Sequence, residues 1–173
     1  MLIRTEAPAD ILVIDQLLKS VFDTDAEANL VKSLRENSQL TLSLVACSDE
    51  GEVLGHVLFS PVTLNGQDML WQGLAPLAVA KAHQGKGIAK ALVKEAFEIL
   101  PELGYPACVV LGDPSYYQKF QFESASDYDL TCQWEGEVPQ GAFQVRSLVE
   151  APLQVLLEQQ SGLIEYSAEF NQL

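Results

Sequence analysis

The run Leu77-Ala78-Val79-Ala80-Lys81-Ala82-His83-Gln84-Gly85-Lys86-Gly87-Ile88-Ala89-Lys90 reads as a strand passing through a glycine-containing turn into a helix. The first turn of a helix has N–H groups without intrahelical acceptors and carries the positive end of the macrodipole. Glycine lets an anion reach that backbone, so the segment is suited to a phosphate. Lys81, Lys86, Lys90 and Lys94 supply four of the chain's ten basic residues here, with no Asp or Glu between Leu77 and Lys94. Their spacing also fits a solvated helix face, so charge agrees with geometry without deciding the matter. A Walker loop needs Gly-x-x-x-x-Gly-Lys-Ser/Thr, and a dinucleotide fingerprint needs Gly-x-Gly-x-x-Gly; Gly85-Lys86-Gly87-Ile88-Ala89-Lys90 satisfies neither. The pattern it does fit is Gln-x-x-Gly-x-Ala, at Gln84, Gly87 and Ala89.

The elements that would position this segment follow from periodicity. Leu2 to Thr5 is expected as an opening strand, and Pro8 as a first-turn proline before a helix whose apolar face holds Ile11, Leu12, Ile14, Leu17, Leu18, Val21 and Phe22. A second helix spans about Asp25 to Asn37. Thr41 to Cys47 and Glu52 to Pro61 flank Ser48-Asp49-Glu50-Gly51 as a hairpin. The strand from about Met69 to Val79 contains Gly73 and Pro76, which interrupt its ladder. The clearest helix runs from Gly85 to Leu100 and is stopped by Pro101. Ala107 to Leu111 has the form of a strand covered on both faces, and Asp113-Pro114 opens a short helix with Tyr116, Tyr117 and Lys119. Ala142 to Leu148 is expected as a strand, Leu153 to Gln160 as a helix and Leu163 to Phe170 as a closing strand.

Composition bounds the function. With 173 residues the chain is one compact domain able to bury its own core. Ten basic against 24 acidic residues give a net charge of −14, the wrong sign for a nucleic-acid binder. The start lacks the pattern of a secretory leader and no apolar run approaches a membrane span, so a cytoplasmic protein with no membrane partner is expected. Cys47, Cys108 and Cys132 are odd in number and lie in apolar stretches, which reads as buried thiols. Two histidines, His56 and His83, are too few for a histidine-rich metal site, so no metal is expected.

The Gln84-x-x-Gly87-x-Ala89 run resembles the signature of the GNAT superfamily of acyl-CoA-dependent N-acyltransferases, Gln/Arg-x-x-Gly-x-Gly/Ala at a strand-to-helix turn. Leu111-Gly112-Asp113-Pro114-Ser115-Tyr116-Tyr117-Gln118-Lys119-Phe120-Gln121-Phe122 resembles the family's later Tyr-x-x-x-Gly-Phe segment. With Gly73-Leu74-Ala75-Pro76-Leu77-Ala78-Val79, the chain is most similar to a bacterial subgroup of acetyltransferases over about Trp71 to Phe122. The resemblance implies a single α/β (α+β) domain over residues 1–173: a central mixed, mostly antiparallel sheet with splayed strands, and helices on both faces. Acyl-CoA would enter where the strands ending at Val79 and Leu111 part. Residues 128–173 lie outside the motif core.

The resemblance also implies roles. Main-chain groups of Leu77, Ala78 and Val79 would pair with pantetheine as an added strand does, while the amides of Gln84, Gly85, Lys86, Gly87, Ile88, Ala89 and Lys90 hold the pyrophosphate. Tyr117 would protonate the departing thiolate, whereas Tyr116 is expected only to pack. Acetyl would pass directly from acetyl-CoA to a primary amine of a small molecule or a peptide in a ternary complex, with a homodimer allowed for. Gln121 departs from the family's glycine, so the turn before Phe122 is open to change. Leu70 to Val79 holds no Asp or Glu, which leaves the general base unassigned. Asp113 is expected to cap and His83 to sit in a turn. Two other readings stand beside this one. A non-catalytic CoA-binding regulatory module is favoured by the missing carboxylate and opposed by Tyr117, and a nucleotide-binding α/β domain is disfavoured by the failed fingerprints.

Overall fold

Residues Leu2–Thr5 form β1 in the computed structural model, which describes residues 1–173. Internal contacts divide the chain into two compact units. One comprises Met1–Ser60, Ala75–Ala96 and Ser167–Leu173; the other comprises Pro61–Leu74 and Phe97–Tyr166.

In the first unit β1 pairs antiparallel with β2 (Leu42–Cys47), and β2 with β3 (Val53–Leu64) in a register running from Leu42↔Phe59 to Cys47↔Val53. The Ser48 to Gly51 turn closes that hairpin: Gly51 N–H donates to the Ser48 carbonyl at 2.9 Å, with Gly51 at φ 83°. Helix α1 (Ile11–Val21) follows a 3-10 turn begun by Pro8 and buries Ile14, Leu17 and Leu18. Its apolar face is narrower than the spacing predicts, because Leu12 is 73% exposed. Helix α2 (Ala26–Glu36) buries Ala28, Leu30, Val31 and Leu34.

Polar groups tie these layers together. Arg4 donates to both carboxylate oxygens of Asp10 at 2.6 and 3.0 Å, and this hydrogen-bonded pairing holds the Asp10 pKa below its ordinary value. Arg35 on α2 donates to both oxygens of Glu6 at 3.1 and 3.2 Å. Ser43 on β2 donates its proton to Glu6 Oε1, so its oxygen is left to accept from His56 Nε2 at 2.9 Å. His56 is therefore the Nε2–H tautomer, fully buried, with Nδ1 lacking a protein partner.

In the second unit β5 (Ala107–Leu111) is buried and pairs antiparallel with β8 (Phe143–Ser147). It pairs in parallel with β4 (Gln67–Val79) at Gln72↔Cys108 and Gly73↔Val109. A Cβ on Gly73 would lie 2.6 Å from the Tyr166 ring, so only glycine fits there. Two short strands were invisible to periodicity: β6 (Glu123–Ser124), which pairs with β8, and β7 (Leu130–Cys132), which runs parallel to β9 (Gly162–Tyr166). β9 also pairs with β3 over Val62 to Leu64.

The strand order is β1-β2-β3-β4-β5-β8-β6, with β9 joined to β3 and β7. With the helices this is the mixed, mostly antiparallel α/β fold expected of the acyltransferase resemblance. No helix is long and apolar enough to cross a membrane. Cys47, Cys108 and Cys132 are buried free thiols, as expected.

Three boundaries differ from expectation. Helix α3 (Ile88–Glu102) contains Pro101 rather than stopping before it. It ends by the Gly104 N–H donating to Pro101 O and the Tyr105 N–H to Leu100 O, with Gly104 at φ 96°; this is a Schellman termination, and proline in the last turn removes only one ladder donor. Helix α5 (Leu153–Leu157) stops before Gln160 because Glu158 and Gln159 are left-handed at φ 52° and 67°. β9 ends at Tyr166, and Ala168–Gln172 coils into a 3-10 turn that buries Phe170.

Burial lowers the His56 pKa to about 4, against 6.5 for an exposed histidine. Between those pH values the unfolded chain binds a proton that the folded chain excludes, so stability falls as pH falls through that window, by up to about 3 kcal/mol. Above pH 6.5 the contribution is constant. Urea denaturation of wild type and His56→Gln across pH 4 to 7 is expected to show a shallower pH slope in the variant; equal slopes would place the titration elsewhere.

Candidate active site

The end of β4, the turn and the start of α3 form one continuous piece of the first unit. Ala78 is buried, while Leu77 and Val79 are half-buried. The Ala80 N–H donates to Leu54 O at 2.8 Å, which binds the strand's exit to β3. On β3, a Cβ added to Gly55 would meet Ile88 Cγ2 at 3.0 Å, Leu92 Cδ1 at 3.1 Å and Ala78 O at 3.2 Å. Gly55 therefore allows α3 to seat its first turns against β3, close to the Ala78 carbonyl. Periodicity did not single it out, although an isolated glycine in a strand is the available signal for close approach.

Beyond Ala80, Lys81–His83 makes a 3-10 turn, closed by the His83 N–H on Ala80 O at 2.8 Å. The Gln84 side-chain amide then donates to Val79 O at 3.0 Å, tying the turn back to the strand. Gly85 and Gly87 adopt φ 79° and 83°, and a Cβ on either would meet nothing within 4 Å. They are required for backbone conformation, and the space beside them is open. The first helical bond of α3 runs from the Ala91 N–H to Gly87 O at 3.0 Å. The amides of Ile88, Ala89 and Lys90 are therefore the helix's donors without intrahelical acceptors. Lys86, Lys90 and Lys94 are exposed, and Lys86 Nζ lies 3.5 Å from His83 Nδ1. A dianionic group at this turn would meet main-chain donors, the helix dipole and lysine charge together.

Tyr117 lies in the second unit, on α4 (Pro114–Tyr117). Asp113 caps that helix as expected: its Oδ1 accepts from the Ser115 N–H at 2.9 Å and the Ser115 hydroxyl at 2.8 Å. The Tyr117 ring packs edge-on against Tyr116 and Phe122, with centroids 5.0 and 5.7 Å away. A Cβ on Gly112 would come within 2.6 Å of that ring, so Gly112 makes room for it. Burial raises the Tyr117 pKa well above that of free phenol, which keeps the hydroxyl protonated throughout the neutral range. Gln121 takes φ 66°, the left-handed conformation suited to glycine, and its N–H donates to Gln118 O at 2.9 Å. The turn before Phe122 is thus retained despite the substitution.

Leu77 to Val79 and Gln84 to Lys90 come together in one unit and Tyr117 stands in the other. No three His, Cys, Asp or Glu side chains are grouped to hold a metal ion.

The sequence profile of the Acetyltransferase (GNAT) family matches residues 12–139, which include every residue above from Leu54 to Gln121. The chain belongs to the GNAT acetyltransferase family. That membership makes it an acyl-CoA-dependent acetyltransferase. It is 49% identical to the uncharacterized N-acetyltransferase YhbS of Escherichia coli (strain K12) over 171 residues, 99% of each chain. A crystal structure of YhbS from Escherichia coli in complex with CoA superposes with a TM-score of 0.91, covering 98% of this chain and 91% of that one. A GNAT family acetyltransferase from Brucella melitensis in complex with acetyl-CoA is 34% identical, with a TM-score of 0.78 over 98% of this chain and 97% of that one.

The turn geometry makes a prediction of its own. Gly87→Val forces a β-branched residue to φ 83° and is expected to lower unfolding stability by about 1–2 kcal/mol, while Gly87→Asn, which tolerates that conformation, costs less than half as much. Equal denaturation midpoints for the two variants would mean that the turn relaxes to another backbone.

Proposed function

We propose that the chain, as one GNAT domain over residues 1–173, moves an acetyl group from acetyl-CoA directly to a primary amine in a ternary complex. The observation carrying this reading is the left-handed Gly85/Gly87 turn, which presents the free first-turn amides of α3 beside the end of β4. Main-chain groups of Leu77, Ala78 and Val79 pair with the pantetheine amides. The pyrophosphate lies on the backbone from Gln84 through Gly85, Lys86, Gly87, Ile88 and Ala89 to Lys90. That the YhbS and Brucella proteins were crystallised with CoA and acetyl-CoA supports the choice of ligand.

In the reaction the neutral amine attacks the thioester carbonyl, a C–N bond forms and the C–S bond breaks. The amine's excess proton leaves to water, and the thiolate takes a proton. A main-chain N–H of β4 stabilises the oxyanion. Tyr117 is the acid: it is protonated at neutral pH, and desolvation that weakens it as an acid also makes a buried thiolate a stronger base. The acceptor is a small molecule or a peptide amine. The cytoplasm, where acetyl-CoA is available, is the compartment this reading requires, and a homodimer is compatible with it.

Two measurements test it. Acetyl-CoA is expected to raise the melting temperature while ATP and NAD do not, and Gly87→Asn should weaken CoA binding at least about tenfold by blocking the pyrophosphate. An equal shift from ATP, or unchanged CoA affinity in the variant, removes the turn from the binding site. Tyr117→Phe keeps the ring and its packing, so acetyl-CoA affinity should hold while thiol release with a competent amine falls by about 10² to 10⁴. Turnover within a few-fold of wild type would end the assignment of Tyr117 as the acid, and a parallel loss of CoA affinity would make its hydroxyl a binding contact.

A further inference from the structure

We infer that Tyr166 limits the length of the acyl group that the chain transfers, by filling the space beside Gly73 into which an acyl chain longer than acetyl would extend. This role rests on the acetyl-transfer reading. β4 and β5 pair at Gln72↔Cys108 and Gly73↔Val109, and from Leu74 and Val110 onward they are no longer paired with each other. Tyr166, the last residue of β9, is buried, and a Cβ on Gly73 would lie 2.6 Å from its Cε2 and 3.1 Å from its Cδ2. The ring therefore reaches Gly73 with its hydroxyl end leading, and it occupies the room that a side chain at residue 73 would have taken. Its place is fixed. The Tyr166 N–H donates to Gln133 Oε1 at 2.6 Å, Val62 pairs with Tyr166 across β3 and β9, and the Trp134 ring packs on it with centroids 5.3 Å apart.

The other face of the same strands is filled differently. Residues paired directly across strands project from one face, and neighbours along a strand project from opposite faces. Gln72, Cys108 and Arg146 are in register across β4, β5 and β8, so they stand in a row on the face away from Tyr166. Gln72 and Cys108 are buried, while the Arg146 guanidinium lies 4.8 Å from the centroid of the Phe97 ring and donates to Phe120 O at 2.7 Å. Phe97 packs on Phe122 and Phe122 on Tyr117, which makes this the Tyr117 face. A thioester whose sulfur is turned toward Tyr117 directs its acyl chain to the opposite face, where the Tyr166 ring stands. With the pyrophosphate at Gln84 to Lys90 and the pantetheine amides along Val79 to Leu77, the sulfur and acyl carbons continue along β4 toward Gly73, about 13 Å beyond Leu77 at 3.3 Å per residue. Acetyl ends short of that point. Each added methylene brings the chain closer to a space the ring already occupies, and overpacking a filled space is unfavourable.

Isothermal calorimetry with acetyl-CoA and butyryl-CoA tests this on the full chain, on Tyr166→Leu, which removes the ring but stays apolar, and on Tyr166→Phe, which keeps the ring. Wild type is expected to bind butyryl-CoA at least about tenfold more weakly than acetyl-CoA. Tyr166→Leu should narrow that gap to about threefold or less by gaining butyryl-CoA affinity, and Tyr166→Phe should keep it. Equal affinities in wild type, a gap that persists in a folded Tyr166→Leu chain, or a gap lost in Tyr166→Phe overturns the inference. The wild-type and Tyr166→Phe measurements decide it even where Tyr166→Leu fails to fold. Wild type that binds neither thioester overturns the acetyl-transfer reading and this role with it, whereas acetyl-CoA bound without discrimination against butyryl-CoA ends this role alone.

Discussion

The bond from the Gln84 side-chain amide to Val79 O decides where the first turn of α3 points. Without it, five residues would connect the last residue of β4 to Gly85 with only the 3-10 turn to shape them. With it, the turn is fastened at the carbonyl where the strand ends, and the two left-handed glycines redirect the chain into the helix over a short, defined distance. The glycine of the Gln-x-x-Gly-x-Ala signature supplies conformation, and its glutamine supplies the fastening; neither side chain needs to touch a ligand for the motif to matter. Gly55 completes the arrangement from below, because any larger residue would push Ile88 and Leu92 outward and take the helix N-terminus with them.

Much of this was legible in the sequence. Strong periodicity located β1, α1, α2, the β2–β3 hairpin and α3, with the start of α3 and the end of β3 each three residues later than expected, since each buries an apolar face. The Asp113 cap was legible because the pair Asp-Pro has a local mechanism that tertiary contacts do not override. What escaped was decided by distant partners or by backbone conformation. β6 and β7 have two and three residues, too few to show a period, and exist because β8 and β9 are there to pair with. The end of α5 is set by Glu158 and Gln159 turning left-handed, which neither residue type announces. The signature identified the glycines and the candidate ligand amides, but the inward bond of Gln84 was not visible, because a polar side chain at an exposed turn reads equally well as pointing outward.

Tyr117 shows how burial and chemistry constrain each other. A tyrosine on a short helix at the surface would titrate near 10 and would be a better acid in water, but it would protonate a thiolate that water already stabilises. Enclosed by Tyr116, Phe120 and Phe122, its hydroxyl is held neutral by desolvation. For the proposed transfer from Tyr117 to the thiolate, what matters is the difference between donor and acceptor, and an apolar surround penalises the phenolate and the thiolate alike. The aromatic cluster also fixes the ring, so the position of the hydroxyl is set by packing around Gly112 rather than by a hydrogen bond to another side chain.

Charge distribution gives the last constraint. A chain of net charge −14 repels anions at long range, so an anionic ligand must be held by a local field strong enough to oppose the global one. The Leu77 to Lys94 segment meets that requirement by excluding every Asp and Glu while gathering four lysines about the positive end of the α3 dipole. Salt screening favours such an arrangement: at physiological ionic strength the field decays over about 8 Å, so the distant acidic residues are largely screened at the turn while the adjacent amides and lysines are not.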